Sequence, residues 1–169
     1  MLGIGFAWGF QKVDAYLTPS YTRTQNRVEN REARIAIAKI SVDAPITFVE
    51  SEEPTDFLKP LKNGVAHYPS ALPGEKGVSI ILGHSAPFAW IGNAYDDVFS
   101  NVKDLEQGDR IMITSAGNIY TYEVSGKLFL QRGQDIPKEV MRSNQSRLLL
   151  LSCWPPGINN KRIMVQAEI

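Results

Sequence analysis

Short apolar runs separated by turn residues dominate the chain from residue 34 onward. Some runs alternate apolar and polar positions, which is typical of half-buried strands, and others are continuously apolar, which is typical of strands buried on both faces. They lie at residues 33–40, 46–49, 78–82, 110–114, 119–124, 148–151 and 162–167. Seven or eight strands at this spacing predict an all-β barrel or sandwich.

Two further segments predict short helices between the strands. They lie at residues 55–62 and 95–101, where apolar side chains are spaced so that they can face inward together. These inward-facing side chains would be those of Phe57, Leu58, Leu61, Val98 and Phe99. The predicted fold class is therefore all-β with short helices.

The first ten residues differ in composition from the rest of the chain. They are uncharged and almost all apolar or glycine, and no basic stretch precedes them, so a complete signal peptide is a poor interpretation. Two interpretations remain for this segment. It forms either a short strand or packing arm, or the end of a membrane anchor.

A polar stretch follows at residues 20–33 and lacks glycine and proline, so it is compatible with a helix. Its Arg23, Arg27 and Arg31 would share one face, which is either solvated or in contact with a membrane surface. These features predict a boundary near residue 30. It separates a segment 1–30, interpreted as a tether or anchor remnant, from a domain at 31–169.

Composition and charge exclude several classes of protein. The 169 residues carry 18 basic and 18 acidic side chains, and this balance argues against binding driven by nucleic-acid phosphates. One cysteine excludes an internal disulfide, and one cysteine with two histidines excludes a Cys₄ or Cys₂His₂ zinc site. No apolar run of the sequence reaches the roughly 18 residues that a membrane span needs.

Three polar residues stand at the ends of predicted strands. Cys153 follows an apolar run and precedes Pro155 and Pro156, which cannot continue a sheet ladder, so the strand must end near the thiol. His84 follows the run at 78–82, and Arg162 opens the last strand. In a small barrel these strand ends can converge on one rim. A cysteine nucleophile, a histidine and a cationic partner would be suited to acyl transfer.

Each of these residues also has a simpler structural interpretation. A lone cysteine is most often a small buried apolar residue, and a lone histidine is most often a hydrogen-bonded structural group. An arginine at a strand start is most often a surface charge. The spacing by itself therefore leaves both interpretations open.

Several motifs, taken in order, resemble those of the sortase family. Residues 63–69, 71–77 and 81–85 resemble its central segment, and 105–111 and 119–124 resemble the hairpin that follows. Its cysteine and arginine motifs resemble residues 149–153 and 162–165. The resemblance extends from about residue 35 to residue 169, at compatible spacing throughout.

The resemblance implies a fold and an activity. Sortases are membrane-anchored, extracytoplasmic bacterial cysteine transpeptidases with a closed eight-stranded β-barrel. They cleave an LPXTG-type sorting signal of a surface protein or pilin, without a cofactor, and pass the acyl group to an amine of a cell-wall precursor or a pilin lysine. By this resemblance Cys153 is the nucleophile, His84 the general acid and base, and Arg162 the residue that stabilises the oxyanion or holds the substrate.

Three positions qualify this resemblance. Ser152 replaces the threonine that usually precedes the cysteine, but its hydroxyl can still form a hydrogen bond. Ser85 replaces an arginine common after the histidine, which indicates a subclass outside the best-known ones and leaves the sorting motif and acceptor open. His67 matches a position that is not catalytic in the family, and we interpret it as structural.

Some sortases bind calcium through carboxylates beside the groove, and calcium requires several oxygen ligands. A calcium site is therefore an alternative interpretation of four nearby acidic residues, Glu50, Glu52, Glu53 and Asp56. Pro54 interrupts this run, and the loop at 128–146 offers few matching acids. We therefore favour a solvated loop that leads into a short helix, and activity that does not depend on calcium.

Two other functions remain as alternatives. An L,D-transpeptidase also uses cysteine and histidine on a β scaffold, but its pattern places Ser-x-Gly before the cysteine, whereas Leu150, Leu151 and Ser152 stand here. A non-catalytic β-barrel binding module is the alternative that is not an enzyme. The joint presence of His84, Cys153 and Arg162 argues against it.

Overall fold

The structure is a computed structural model that describes residues 33–86, 92 and 94–169. The predicted N-terminal segment 1–30, with its apolar start and its candidate helix, lies outside the described residues. Across the described part of the chain, no helix is both long enough and apolar enough to span a membrane.

Within these residues, eight strands form a closed barrel. They are β1 (Arg34–Ile37), β2 (Val42–Phe48), β3 (Val65–His67), β4 (Gly77–Leu82), β5 (Arg110–Ser115), β6 (Asn118–Gln131), β7 (Ser146–Trp154) and β8 (Lys161–Glu168). Their order around the barrel is β1-β2-β3-β4-β7-β8-β6-β5. The pairs β2/β3 and β4/β7 are parallel, and the other pairs are antiparallel. The predicted all-β fold and closed barrel are confirmed.

One of the two predicted helices is confirmed. A 3₁₀ turn at Pro54–Phe57 continues into helix α1 at Leu58–Lys62. Phe57 and Leu61 are buried as predicted, whereas the inward orientation predicted for Leu58 is wrong, because its side chain is exposed. The helix predicted at 95–101 is wrong, because the chain forms consecutive turns there and a 3₁₀ turn at Val102–Asp104. Phe99 still packs inward as expected, since its ring is buried in the core.

Buried side chains form two layers, one on each face of the sheet. Leu148 and Leu150 of β7 belong to the cluster inside the barrel, whereas Leu149 and Leu151 belong to a second cluster on the outer face, where Phe57 also packs. The continuously apolar run in β7 is explained by this burial on both faces. The outer face of β4, β7 and β8 is therefore partly covered, and the outward-facing residues at the strand ends lie at the edge of an apolar layer.

His67 is a structural residue in this fold, as its position predicted. It is 2% exposed, and its Nε2 lies 3.1 Å from both the Ala71 carbonyl oxygen and Ser79 Oγ. Because a carbonyl oxygen can only accept, the neutral ring must carry its proton on Nε2. Burial lowers the pKa of His67 to about 4, although the hydrogen bond to Ala71 opposes this shift.

Acid is therefore expected to destabilise the fold through His67. The folded-state pKa lies below the unfolded value near 6.5, so the unfolded state binds more protons between these values, and the free energy of unfolding falls as pH falls through this window. The shift corresponds to a loss of about 3 kcal/mol. Urea unfolding at several pH values between 7 and 4 should show that His67→Gln is much less acid-sensitive than the wild type. An unchanged pH dependence in this variant would contradict the assignment.

Candidate active site

Cys153 and Arg162 are directly opposite each other on neighbouring strands. Cys153, the penultimate residue of β7, is paired with Arg162 near the start of β8, and Arg162 is paired with Leu130 of β6 on its other side. Side chains alternate along a strand, so Cys153 points to the same outer face as Leu151. Cys153 is half-buried, whereas Arg162 is only 8% exposed. A thiol and a guanidinium are thus placed together at the edge of the outer apolar layer.

His84 lies two residues beyond β4, next to the end of β7. The Gly83 backbone N–H donates to the Leu151 carbonyl oxygen at 3.2 Å, and Ser152 Oγ donates to the Gly83 carbonyl oxygen at 2.7 Å. The parallel register of β4 and β7 ends at Leu82 and Leu151, two positions before His84 and Cys153. Ser152 therefore ties the histidine segment to the cysteine strand.

Gly83 is required at this point because another chain segment approaches closely. A Cβ atom on Gly83 would lie 2.4 Å from the ring of Phe99, a distance that no packed side chain tolerates. The Phe99 backbone N–H also donates to the His84 carbonyl oxygen at 2.7 Å. The turns around Phe99 thus hold the backbone of His84 in place.

Asn159 connects the thiol to the guanidinium and was not predicted from the sequence. Its Oδ1 accepts hydrogen bonds from Cys153 Sγ at 3.4 Å and from Arg162 Nη1 at 2.7 Å. It lies in the loop between β7 and β8, where its position after two prolines and a glycine indicates only a turn residue. No sequence signal separates it from its neighbour Asn160.

Arg132 supplies a second positive charge that sequence reasoning missed. It follows β6, and its backbone N–H donates to the Asn160 carbonyl oxygen at 3.1 Å. Like the charge of Arg162, its charge lowers the pKa of the Cys153 thiol. It also lowers the pKa of Arg162. The site therefore has a positive potential that would favour a thiolate or an oxyanion.

Burial moves the pKa values of the cysteine and the histidine in opposite directions. It raises the pKa of the Cys153 thiol, although the charges of Arg162 and Arg132 oppose this effect. It lowers the pKa of His84, and the charge of Asp96 opposes that shift. Near neutral pH, both shifts favour a neutral thiol beside a neutral imidazole.

The acidic run at 50–56 lies on the loop and 3₁₀ turn that precede helix α1. Among the residues that the structure describes, no group of three or more potential ligands is placed to hold an ion. Glu52 instead interacts with Tyr68. Burial, together with the charge of Glu52 and a hydrogen bond to it, raises the pKa of Tyr68 to about 12.

We expect the activity to be independent of calcium. A calcium ion needs six or more oxygen ligands, and Glu52 is engaged with Tyr68 rather than with its acidic neighbours. Initial rates of peptide cleavage in a chelator and in millimolar calcium, at matched ionic strength, should agree. A several-fold rise that disappears in a Glu52→Gln, Glu53→Gln double variant would overturn this expectation.

The structure thus places a cysteine and a nearly buried arginine opposite each other at the edge of a closed β-barrel. The Sortase domain family model matches residues 35–169. The chain therefore belongs to the sortase family, whose members are cysteine transpeptidases that act at the bacterial cell surface. This finding confirms the resemblance seen in the sequence motifs.

Solved structures of sortases are also similar to this chain. Sortase C-1 from Actinomyces oris is 26% identical with a TM-score of 0.65, over 80% of this chain and 72% of that chain. A lid mutant of sortase A from Corynebacterium diphtheriae is 29% identical with a TM-score of 0.66, over 80% of this chain and 68% of that chain. Sortase C1 from Streptococcus agalactiae matches the fold. It is 24% identical with a TM-score of 0.66, over 81% of this chain and 66% of that chain. A search of curated proteins gave no significant match.

Proposed function

We propose that this chain cleaves an LPXTG-type sorting signal through a thioester on Cys153 and transfers the acyl group to an amine. The observation that carries the proposal is the direct pairing of Cys153 with Arg162 across β7 and β8. The hydrogen bonds that tie Gly83 to Leu151 and Ser152 support the neighbouring His84 as the proton carrier. Together these three residues supply a nucleophile, an acid and base, and a cation for the oxyanion.

The first half-reaction forms the thioester. The Cys153 thiolate attacks the carbonyl carbon of the scissile amide, and the carbonyl electron pair moves onto the oxygen, where the guanidinium of Arg162 stabilises the negative charge. When this intermediate collapses, the carbon–nitrogen bond breaks. His84, as the imidazolium, donates its proton to the leaving amine.

The second half-reaction reverses the proton transfer. Neutral His84 takes a proton from the incoming amine as its nitrogen attacks the thioester carbon. Collapse of the second intermediate expels the Cys153 thiolate and leaves a new amide bond, so the enzyme returns to its initial protonation state. No electrons are exchanged with a cofactor at any step.

The protonation states of the free enzyme set the fraction of it that is ready to react. Because burial raises the pKa of Cys153 and lowers the pKa of His84, the reactive thiolate and imidazolium pair is the minor form near neutral pH. Proton transfer from Cys153 to His84 creates both charges at once. Arg162 and Arg132 favour this transfer by lowering the pKa of the thiol, and Asp96 favours it by raising the pKa of His84.

The proposed partners are a surface protein or pilin that carries the sorting signal and an amine of a cell-wall precursor or a pilin lysine. Residues 31–169 would form the catalytic domain, and residues 1–30 would connect it to the membrane. The domain would then act on the extracytoplasmic face of a bacterial membrane. The free thiol suits that location, because the sequence contains no second cysteine to form an internal disulfide.

A peptide-library assay tests this function directly. Peptides that vary the five positions of the sorting signal are incubated with the enzyme and either hydroxylamine or a glycine oligomer. We expect one family of pentapeptides to give the hydroxamate with hydroxylamine and the transpeptidation product with glycine. If no peptide is cleaved and Cys153 shows ordinary reactivity toward a small electrophile, the chain is a binding module instead.

A further inference from the structure

Two backbone hydrogen bonds order the loop between β7 and β8, one within the loop and one to the residue after β6. The Ile158 backbone N–H donates to the Pro155 carbonyl oxygen at 2.9 Å, which closes a turn just before Asn159. Directly after it, the Asn160 carbonyl oxygen accepts from the Arg132 backbone N–H at 3.1 Å. Backbone hydrogen bonds thus hold the chain on both sides of Asn159.

The contacts of Asn159 determine which way its amide points. A guanidinium can only donate hydrogen bonds, so the atom that lies 2.7 Å from Arg162 Nη1 must be the amide oxygen. The Cys153 thiol lies 3.4 Å from the same oxygen and must therefore donate its proton to it. This arrangement is possible only while the thiol is protonated, because a thiolate would face the lone pairs of Oδ1.

The same oxygen restricts the orientation of the guanidinium. Arg162 Nη1 carries two hydrogens, and its second acceptor is the Lys161 carbonyl oxygen at 2.8 Å. With acceptors on both hydrogens, the plane of the guanidinium is fixed relative to the thiol. Loss of Oδ1 would remove one of these two restraints.

We propose that Asn159 is a positioning residue whose amide oxygen keeps the Cys153 thiol protonated in the resting site and aligns the guanidinium of Arg162 beside it. Its effect on the thiol stands independently of the proposed transpeptidation, whereas its effect on turnover rests on that function. The charged groups that act on the thiol are Arg162 from β8 and Arg132 beyond β6. The other titratable group that follows β4 is His84, whose pKa Asp96 raises.

Substitutions at Asn159 should change the pKa of Cys153 in opposite directions. In Asn159→Ala the thiol loses its acceptor while both arginines remain, so the pKa of Cys153 should fall. In Asn159→Asp a carboxylate of nearly the same shape faces the thiol, so the pKa should rise. Since the chain has one cysteine, the pH dependence of alkylation by iodoacetamide reports this thiol alone.

Turnover should decrease in both variants, for different reasons. Asn159→Ala should lower kcat about tenfold with little change in KM, because the guanidinium is misaligned in the transition state. Asn159→Asp should lower kcat further, because an ion pair would draw Arg162 away from the oxyanion. The matched control is Asn160→Ala, since the side chain of Asn160 is exposed and its carbonyl oxygen is retained.

The outcomes are distinguishable. Opposite shifts in the alkylation profiles of the two Asn159 variants, with a wild-type profile in Asn160→Ala, support the proposal. Unchanged profiles at Asn159, or an equal loss of kcat in Asn160→Ala, overturn it, and a lower melting temperature with unchanged profiles assigns a purely structural role. If the profiles shift as expected but the wild type cleaves no peptide, the proposed function fails while this inference stands.

Discussion

Replacing Cys153 with alanine is expected to abolish both peptide cleavage and thioester capture. The proposed mechanism passes through a covalent bond to sulfur, and the sequence contains no other cysteine that could replace it. Loss of a nucleophile of this kind reduces turnover by at least about 10⁴-fold, to the level that binding and the oxyanion site support alone. The measurement is single-turnover cleavage of a sorting-signal peptide, with mass spectrometry to detect the acyl-enzyme.

Two controls make this result interpretable. The variant should keep the wild-type melting temperature to within a few degrees, because Cys153 is half-buried and alanine leaves only a small gap. It should also still bind the peptide, since the outer apolar layer and both arginines are intact. Transpeptidation at more than a trace level in Cys153→Ala would eliminate the covalent mechanism, whatever the binding data show.

Most strands could be predicted from the sequence because alternation and continuous apolar runs are local signals. Strand β3 was missed, since three residues that are all buried have no period to detect. The turns at 94–101 were mistaken for a helix because apolar spacing alone does not distinguish them. What fixes Phe99 is its packing against Gly83, which is a tertiary contact. Closure of the barrel came from the family resemblance, not from the pattern.

Some residues of the candidate site are likewise indicated by local sequence signals, and others are placed only by tertiary contacts. Prolines after Cys153 indicated a strand end, and the structure ends β7 one residue later, at Trp154. The pairing of Cys153 with Arg162 depends on the register of β7 against β8, which no local signal encodes. Asn159 and Arg132 reach the site from loops, and their positions are set by contacts between distant segments. Residues beside a recognisable apolar run, such as Cys153 and His84, could therefore be predicted, whereas Asn159 and Arg132 could not.

Replacing Arg162 with alanine is expected to lower kcat far more than it raises KM. Its guanidinium is nearly buried, paired with Cys153 and held by Asn159, so it is positioned for charge that develops on the substrate rather than for the resting substrate. Loss of one such oxyanion donor costs on the order of 10²–10³ in rate. Steady-state kinetics on the preferred peptide separate the two parameters. Because Arg162 also lowers the pKa of the thiol, the alkylation profile of the variant should move to higher pH.

Lys161 provides the matched control for this prediction. It carries the same charge one position earlier on β8, but neighbouring residues on a strand face opposite sides, and Lys161 is exposed. Lys161→Ala should therefore leave kcat and the alkylation profile close to those of the wild type. Arg162→Lys keeps the charge but not the planar donor geometry, so it should recover only part of the lost rate. If Lys161→Ala is impaired as severely as Arg162→Ala, the cation that meets the oxyanion has been assigned to the wrong residue.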